Sequence, residues 1–303
     1  MSQAAVGLIL AAAVAHASWN LFSKQAAATG AVFFIWLVAA AATVGYAPVV
    51  AAIAIAARPH LTAASWIFMA GTGILQAAYF LFLQAGYQIG DLSVVYPVGR
   101  GTGALLAALA GILVLGERPG LLAIAGIGCI VAGIAVIGLP GRRADQHQAD
   151  QHQAAGRGGK RSAALTAIAF AIVTGIFIAS YTLWDKYAVS TLRTPPLLQG
   201  YAAFPVMLAV FAPLVLRDRP RLAAVWRSFR ARAIGAGVLA PLAYGLVLIA
   251  LSFTAVAAVA PAREISVLVG VVLGRRLLGE GSLARRLAAA AAIVAGVVAL
   301  AVG

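Results

Sequence analysis

Ionisable side chains occur inside otherwise apolar stretches of the sequence, where water would not solvate their charge. Arg100 lies in one such run, one helical turn after Tyr96. Glu264 lies in a second run, directly after Arg263. A charge at the centre of a bilayer costs about 3 kcal/mol on insertion scales. We therefore expect these groups to bind a ligand or to pair across a helical bundle.

Each of these charges has two possible roles. Arg100 could bind a substrate carboxylate through two parallel hydrogen bonds, or it could hold backbone carbonyl groups as a structural arginine. Glu264 could bind a substrate ammonium or carry a coupling proton, or it could form a structural ion pair. A zwitterion needs one binding group of each sign, and the two residues together offer this.

Polar and aromatic residues at helical spacing extend this set. His16, Asn20 and Lys24 recur every four residues, so that they share one helix face beside Trp19. The face either lines a substrate cavity or makes hydrogen bonds between helices, with Lys24 reaching the membrane interface. The tyrosines combine an apolar ring with a polar tip, which suits a ligand of mixed polarity and equally suits aromatic packing. The predicted substrate-binding residues are His16, Trp19, Asn20, Tyr79, Tyr96, Arg100, Tyr181, Trp184, Tyr244 and Glu264.

The composition around these residues is that of a membrane protein. Of 303 residues, 63% are hydrophobic and 10% are charged, against roughly 25% charged residues in a soluble domain. So little polar surface would not cover a soluble fold of this length. A membrane crossing takes about 20 apolar residues. Ten spans are predicted, at 4–23, 31–56, 63–86, 92–115, 119–139, 163–184, 196–216, 233–252, 255–274 and 286–302.

The first span also has features of a leader peptide. Ala15-His16-Ala17 has the small residues of a cleavage site. No basic residue precedes the apolar run, however, and the run continues past this site. We therefore expect a retained first helix.

The two halves of the sequence resemble each other. Residues 17–24 and 179–186 are identical at four of eight positions, and two further positions pair an aromatic residue with an aromatic residue. Leu115-Gly116-Glu117 recurs as Leu278-Gly279-Glu280, at helix ends where both glutamates are expected to be structural. Each half holds five spans, an odd number, so the second half must be inverted in the membrane. The predicted fold is an all-α integral membrane protein with ten transmembrane helices in two inverted five-helix repeats.

A polar segment separates the halves. It contains the pentapeptide ADQHQ twice in succession, and His147 and His152 of these copies could bind a metal only weakly. Such a segment has too few apolar residues to build a core. We predict a flexible linker at 140–162, a first repeat at 1–139 and a second repeat at 163–303.

The net charge of +14 is distributed unevenly. Sixteen of the 22 Lys and Arg residues lie in loops after odd-numbered spans, counting Arg286 at the start of the tenth span, and four lie in loops after even-numbered spans. The positive-inside rule places the odd loops in the cytoplasm and both termini outside. The basic residues would then face anionic lipid, and no nucleic-acid partner is expected.

These features are similar to those of the drug/metabolite transporter superfamily in its ten-helix EamA form. The resemblance is carried by Ala17-Ser18-Trp19-Asn20, Tyr96-Pro97, Arg100-Gly101, Pro261, Arg263 and the two Leu-Gly-Glu motifs. It implies a proton-linked or passive exporter of small metabolites, with a cavity between two inverted halves. Bacterial members include exporters of amino acids, aromatic ones among them. The related four-helix multidrug exporters carry an essential carboxylate in helix 1, whereas here the nearest equivalent is Asp185 in the counterpart helix.

The function expected on this basis is secondary transport. The protein would export amino acids of broad specificity, including aromatic ones, from the bacterial inner membrane as a monomer, without a cofactor or metal. Its partners would be the substrate, the lipid bilayer and protons as a candidate coupling ion. Export of cationic drugs or of nucleotide and sugar metabolites is the alternative. An intramembrane enzyme is a distant alternative, because the sequence has no HExxH, no GxSxG and no pair of intramembrane aspartates.

Overall fold

The computed structural model describes residues 3–115, 120–138, 157–251, 264–280 and 283–302. Nearly all of these residues are helical, and none of them is in a strand. The first helical segment, Gln3–Ala57, is divided into two helices at Gly30, where φ is 169° and ψ is 65°. We number the helices α1 (residues 3–29), α2 (31–57), α3 (Ala63–Ile89), α4 (Leu92–Leu115), α5 (Leu121–Gly138), α6 (Arg157–Ser190), α7 (Pro196–Val215), α8 (Arg219–Leu251), α9 (Ile265–Leu278) and α10 (Leu283–Val302).

Many of these helices have the length and apolar composition of membrane spans. In the described residues, five meet both criteria: Val6–Ala28, Gly30–Ala57, Ala63–Ile89, Ser162–Val189 and Pro196–Val215. Leu121–Ile137 is a shorter apolar helix. The prediction of an all-α, multi-pass membrane protein is therefore confirmed, and each predicted span coincides with a helix wherever the chain is described.

Two helices begin six or more residues before the predicted spans. α6 begins at Arg157, so residues 157–162 at the end of the predicted linker are helical. Residues 140–156 of that linker lie outside the described part of the chain, as do residues 255–263 of the ninth span.

α8 begins at Arg219, fourteen residues before the predicted start at 233. The arginines in this stretch lower its hydropathy and hide it from a search for apolar spans. The backbone nevertheless continues as helix, because no Gly or Pro occurs between Pro220 and Gly235. Pro220 itself lies in the first helical turn, where its missing N–H costs nothing.

Glycines allow α3 and α8 to approach aromatic side chains of other helices closely. A Cβ atom at Gly71 of α3 would lie 2.5 Å from the Trp184 ring of α6. A Cβ atom at Gly235 of α8 would lie 3.0 Å from the Phe22 ring of α1. The two contacts are counterparts, because Trp184 occupies the position of Phe22 in the sequence repeat.

The second glycine of each pair repeats the relation with another helix. Gly73 of α3 lies directly against Val206 of α7, and Gly237 of α8 lies against Ala41 of α2. Exchanging each helix for the one five places along the chain therefore converts one set of contacts into the other. Two structurally related five-helix halves would produce this exchange.

Helices that are counterparts of each other also pack together. α4 contacts α9 where the ring of Tyr96 covers Gly270. α5 contacts α10 where Gly296 approaches the backbone of Gly126. A site next to the α4–α9 contact therefore draws its side chains from both halves of the chain.

Candidate functional site

A buried ion pair joins the two halves at the α4–α9 contact. Arg100 Nε of α4 donates a hydrogen bond to Glu264 Oε2 at 3.1 Å, and Arg100 Nη2 donates to Glu264 Oε1. Arg100 is 8% exposed and Glu264, at the N-cap of α9, is 5% exposed. This two-point geometry is the preferred one for a guanidinium and a carboxylate. Of the partners considered from the sequence, the structure pairs these two residues with each other.

Tyr96 lies beside the ion pair and links α4 to two other helices. Its hydroxyl is 2.8 Å from Ser266 Oγ of α9, so that one of the two hydroxyls donates to the other. Its ring is stacked with the His16 ring of α1, with centroids 6.1 Å apart. α4 presents Arg100 and Tyr96 together because residues four apart share a helix face.

Aromatic rings continue from His16 across α1, α3 and α6. The His16 ring meets the Trp19 ring edge-on at 5.3 Å, and Trp19 lies 5.5 Å from Phe80 of α3. Phe80 contacts Tyr79 at 4.9 Å, and Tyr79 meets Tyr181 of α6 at 5.8 Å. Aromatic pairs in this distance range contribute a favourable interaction energy in addition to the energy gained from burying their apolar area.

The rings and the ion pair form one contiguous group. Arg100 interacts electrostatically with Tyr79, Tyr96 and Tyr181. We call this group the central cluster and define it by His16, Trp19, Tyr79, Phe80, Tyr96, Arg100, Tyr181 and Glu264. Seven of the ten residues predicted from the sequence belong to it.

Two buried polar groups near the central cluster have unused hydrogen-bonding capacity. Trp19 is 3% exposed, and its Nε1–H finds no acceptor among the described residues. Gln84 of α3 is 1% exposed, and both of its amide atoms are without a partner among those residues. Gln84 lies one turn beyond Phe80 on the same helix face. Such groups are costly in a protein interior and therefore indicate a ligand or bound water.

Gln84 was not among the predicted site residues. The only signal for it in the sequence is its spacing of four residues from Phe80 on a buried face. Five other glutamines occur in spans or within two residues of their ends, so residue type alone does not distinguish Gln84. Its burial without a partner distinguishes it, and burial is a property of the packed structure.

Asn20 joins helices rather than lining the central cluster. Its Nδ2 donates to the backbone oxygen of His16 at 2.9 Å, and its Oδ1 accepts a hydrogen bond from Tyr87 Oη of α3 at 2.8 Å. Asn20 is fully buried. Of the two roles expected for this helix face, hydrogen bonding between helices describes Asn20 in this structure.

Lys24 binds backbone oxygens at the end of α3. Its Nζ donates to the backbone oxygens of Tyr87 at 2.5 Å and Gly90 at 2.6 Å. These carbonyl groups end α3 and lack partners within the helix. A cation at this position also interacts favourably with the helix dipole, so Lys24 is a cap for α3.

Trp184 and Tyr244 lie apart from the central cluster. The Trp184 ring stacks on Phe68 at 4.2 Å, and its Nε1 donates to the Phe68 backbone oxygen at 2.8 Å. Tyr244 is 41% exposed and packs its ring over Gly200 of α7. The Trp184 ring packs against Phe68 of α3, and the Tyr244 ring packs against Gly200 of α7. These contacts depend on how the helices pack together.

Asp185 belongs to a separate polar contact among α3, α6 and α7. Its Oδ1 accepts a hydrogen bond from Gln199 Nε2 at 2.9 Å and another from Thr72 Oγ1. Gln199 Nε2 is also 2.7 Å from Thr72 Oγ1. The contact joins α3, α6 and α7 at Asp185, one helical turn after Tyr181.

Glu280 connects the halves at one end of the bundle. It follows α9, and its Oε1 accepts a hydrogen bond from the Leu92 N–H at 2.7 Å while its Oε2 accepts one from the Ser93 N–H at 2.8 Å. These are the first backbone N–H groups of α4, which have no partner within the helix. Gly274 provides the space, since a Cβ atom there would lie 2.5 Å from Oε2.

Arg286 of α10 completes this contact. Its Nη2 lies 2.5 Å from Asp91 Oδ2, and its Nη1 donates to Ser93 Oγ at 2.5 Å. We call Asp91, Leu92, Ser93, Glu280 and Arg286 the end latch. The structural role expected for Glu280 agrees with these contacts, and Glu117 lies outside the described residues.

Comparisons with known proteins place this architecture. Residues 3–139 match the model of the EamA-like transporter family. No curated protein matches the sequence. A solved structure, described only as "Crystal structure of protein", aligns with 96% of this chain and 97% of its own chain, with a TM-score of 0.50 and 19% identity. At that identity the likeness shows a shared fold and nothing more. The first part of the chain, residues 3–139, is therefore similar to the EamA-like transporter family of the drug/metabolite transporter superfamily, whose members are multi-pass membrane transporters.

Proposed function

We propose that the protein exports small metabolites, above all amino acids of broad specificity including aromatic ones, through a site in the central cluster. The observation that carries the proposal is the buried ion pair between Arg100 and Glu264, which contributes one charge from each half. Tyr96 beside it leads through the His16 ring to Trp19, whose indole N–H has no acceptor among the described residues. This combination suits a zwitterion that bears an apolar side chain.

A zwitterion can replace the internal ion pair without leaving either charge unpaired. The substrate carboxylate would take the place of Glu264 on the Arg100 guanidinium, and the substrate ammonium would take the place of Arg100 on the Glu264 carboxylate. Both protein charges stay neutralised throughout. Leaving one of them unpaired in the interior would cost about 3–5 kcal/mol.

The same argument separates the alternative substrates. A cationic drug would pair with Glu264 and leave Arg100 unpaired. A nucleotide or sugar phosphate would pair with Arg100 and leave Glu264 unpaired. Amino acids avoid both penalties, and their aromatic members gain ring contacts with Trp19 and Tyr79.

Alternating access would follow from the inverted five-helix repeats, 1–139 and 163–303, with 140–162 as the linker. In the described structure six of the eight central-cluster residues are buried, His16 and Tyr181 are half-buried, and the end latch ties the start of α4 to the end of α9. These helix ends adjoin the loops after spans 3 and 9, which the positive-inside rule places in the cytoplasm. We infer that the cytoplasmic side opens when Glu280 releases the N–H groups of Leu92 and Ser93.

The setting of the transporter is part of the same proposal. We place it in the bacterial inner membrane as a monomer, because one chain supplies both halves of the site. The ion pair allows two modes of transport. A passive exporter exchanges the zwitterion alone, whereas a proton-linked exporter protonates Glu264 or Asp185 during the cycle.

Counterflow in proteoliposomes tests the proposal. Vesicles are loaded with unlabelled phenylalanine, and uptake of labelled phenylalanine is followed with and without a pH gradient. We expect uptake above that of empty liposomes, with loss in Arg100→Lys and Glu264→Gln. Arg276→Gln, which removes an exposed charge at the end of α9, serves as the matched control and should keep the wild-type rate.

Two results would decide against the amino-acid assignment. One is uptake equal to the empty-liposome background for every amino acid tested, combined with transport of a cationic dye or a nucleotide sugar. The other is full activity in both Arg100→Lys and Glu264→Gln. Acceleration of uptake by an outward-directed proton gradient would identify proton-linked antiport, and insensitivity to the gradient would identify passive exchange.

A further inference from the structure

The N-terminal part of α8 is longer and more basic than a membrane span requires. α8 has 33 residues, which at 1.5 Å per residue gives about 50 Å, against about 30 Å for the hydrocarbon core of a bilayer. Its first fourteen residues, 219–232, contain five arginines. This part of α8 therefore extends past the hydrocarbon, next to the end of α7 and the beginning of α2.

An apolar groove of about 350 Å³ opens beside this extension. It is lined by Leu37 of α2, Leu216 at the end of α7, and Arg219, Leu222, Ala223 and Trp226 of α8. The four α8 residues follow the spacing of one helix face. Arg219 is the one charged residue in the lining.

The groove lies at the level of the membrane surface. Leu216 is the C-cap of α7, which ends a span of suitable length and hydropathy at Val215. Trp226 is 40% exposed, and indole rings are enriched at the depth of lipid headgroups. Apolar and charged lining residues meet at this depth, so the groove suits a ligand with both characters.

The mouth of the groove is basic. Arg219 of the lining is exposed, as is Arg217, which directly follows the lining residue Leu216. The acid between them, Asp218, accepts a hydrogen bond from the Arg221 N–H at 3.0 Å and so caps the helix backbone. Arg221 lies outside this lining, because its guanidinium is 5.3 Å from the centre of the Phe33 ring in a neighbouring groove. An anion at the mouth would meet an excess of positive charge.

We propose that this groove is a binding site for one anionic phospholipid of the cytoplasmic leaflet. An acyl chain lies along Leu37, Leu222 and Trp226, and the phosphate binds the guanidinium of Arg219. Arginine binds phosphate oxygens through paired N–H groups, and basic pockets between helices on the cytoplasmic side are a known form of lipid-headgroup site. A zwitterionic phospholipid offers the same chains, but its own cation compensates its phosphate, so the basic mouth selects the anionic lipid.

Thermal unfolding of the delipidated, detergent-purified protein tests this site without reference to transport. Phosphatidylglycerol is added at about one hundred times its Kd, and phosphatidylcholine is added in a parallel series. We expect phosphatidylglycerol to raise the Tm by about 5 °C and phosphatidylcholine to raise it by much less. Equal Tm shifts with the two lipids would overturn the proposal. A Tm shift with inorganic phosphate alone that equals the shift with phosphatidylglycerol would also overturn it.

Variants locate the effect in the groove. Arg217→Gln/Arg219→Gln should lose most of the shift that is specific for the anionic lipid. The control Arg58→Gln/Arg276→Gln removes the same charge from exposed positions away from the groove and should keep the shift. Loss in both double variants to the same degree would contradict a defined site, because it would show a response to net charge alone.

A groove-filling variant keeps the test informative if the double variant unfolds. Ala223→Leu adds volume at an exposed groove position and removes no charge. It should leave the Tm without lipid unchanged and reduce the shift caused by phosphatidylglycerol. An undiminished shift in a folded Ala223→Leu protein would overturn the placement of the acyl chain.

Discussion

Removing the charges of Arg100 and Glu264 singly or together separates their structural cost from their role in transport. The single variants are Arg100→Met and Glu264→Leu, and the third protein carries both changes. Each single variant leaves one buried charge without its partner, whereas the double variant leaves none. Both side chains lie in the α4–α9 contact, so the double variant also preserves an apolar packing surface there.

The expected magnitudes follow from the burial of the pair. The side chains of Arg100 and Glu264 are 8% and 7% exposed, so solvent screens their attraction little. Breaking a buried pair from one side costs about 3–5 kcal/mol, whereas replacing both partners by apolar groups is neutral or stabilises by about 1–4 kcal/mol. The two single costs add to about 6–10 kcal/mol and the double variant shows none of this cost, so the coupling between the two changes should be about 6 kcal/mol or more.

Reversible unfolding in mixed micelles measures the stability of all four proteins, and counterflow measures their transport. We expect low stability in both single variants, restored stability in the double variant and transport in none of the three. A double variant that is stable and still exchanges phenylalanine at the wild-type rate would refute the role of the pair in substrate binding. Additive stability costs would refute the pairing itself.

Three further predictions concern other parts of the bundle. Gln84→Leu removes two unpartnered polar atoms, so the Tm should stay the same or rise while counterflow falls; a variant with normal transport would show that Gln84 does not meet substrate. Glu280→Ala removes the acceptors of two backbone N–H groups, and denaturant unfolding should show a loss of about 2 kcal/mol, whereas an unchanged stability would contradict the end latch. Gly73→Ala places a methyl group against Val206 and should lower the free energy of unfolding by about 1–3 kcal/mol in the same assay. The control Gly128→Ala, which has open space around it, should leave the free energy of unfolding unchanged. Equal losses in the two variants would contradict the close approach of α3 and α7.

The positions of the helices could be predicted because the apolar runs are long and the breaks between them carry turn residues or charge. The extension of α8 could not be predicted in this way, because a hydropathy pattern detects lipid contact rather than helix. Its arginines are good helix formers, and no Gly or Pro interrupts them between Pro220 and Gly235.

The central cluster could be predicted in residue type but not in pairing. Arg100 and Glu264 are conspicuous as charges in apolar runs, yet these two residues are 164 positions apart in the chain. Only the packing of the two halves shows that the pair is internal. Trp184 is equally conspicuous in the sequence, but Gly71 of α3 offers it a closer contact elsewhere.

The glycine pairs Gly71-x-Gly73 and Gly235-x-Gly237 are the clearest structural evidence for the repeat. The comparison of the two halves in sequence did not identify these glycines. In a chain with 32 glycines, two matching pairs do not stand out. Their meaning comes from the side chains that cover them, because Trp184 and Phe22 are counterparts in the repeat. A sequence signal of this kind becomes specific only when the facing helix is known.

Competition by analogues of phenylalanine tests the central claim most directly, since they differ only in the charges that the ion pair would recognise. Phenylalaninamide lacks the carboxylate for Arg100, and N-acetylphenylalanine lacks the ammonium for Glu264. We predict that unlabelled phenylalanine inhibits counterflow of labelled phenylalanine at least about tenfold more strongly than either analogue, a difference of about 1.4 kcal/mol in binding. Equal inhibition by the three compounds would contradict recognition of a zwitterion by Arg100 and Glu264.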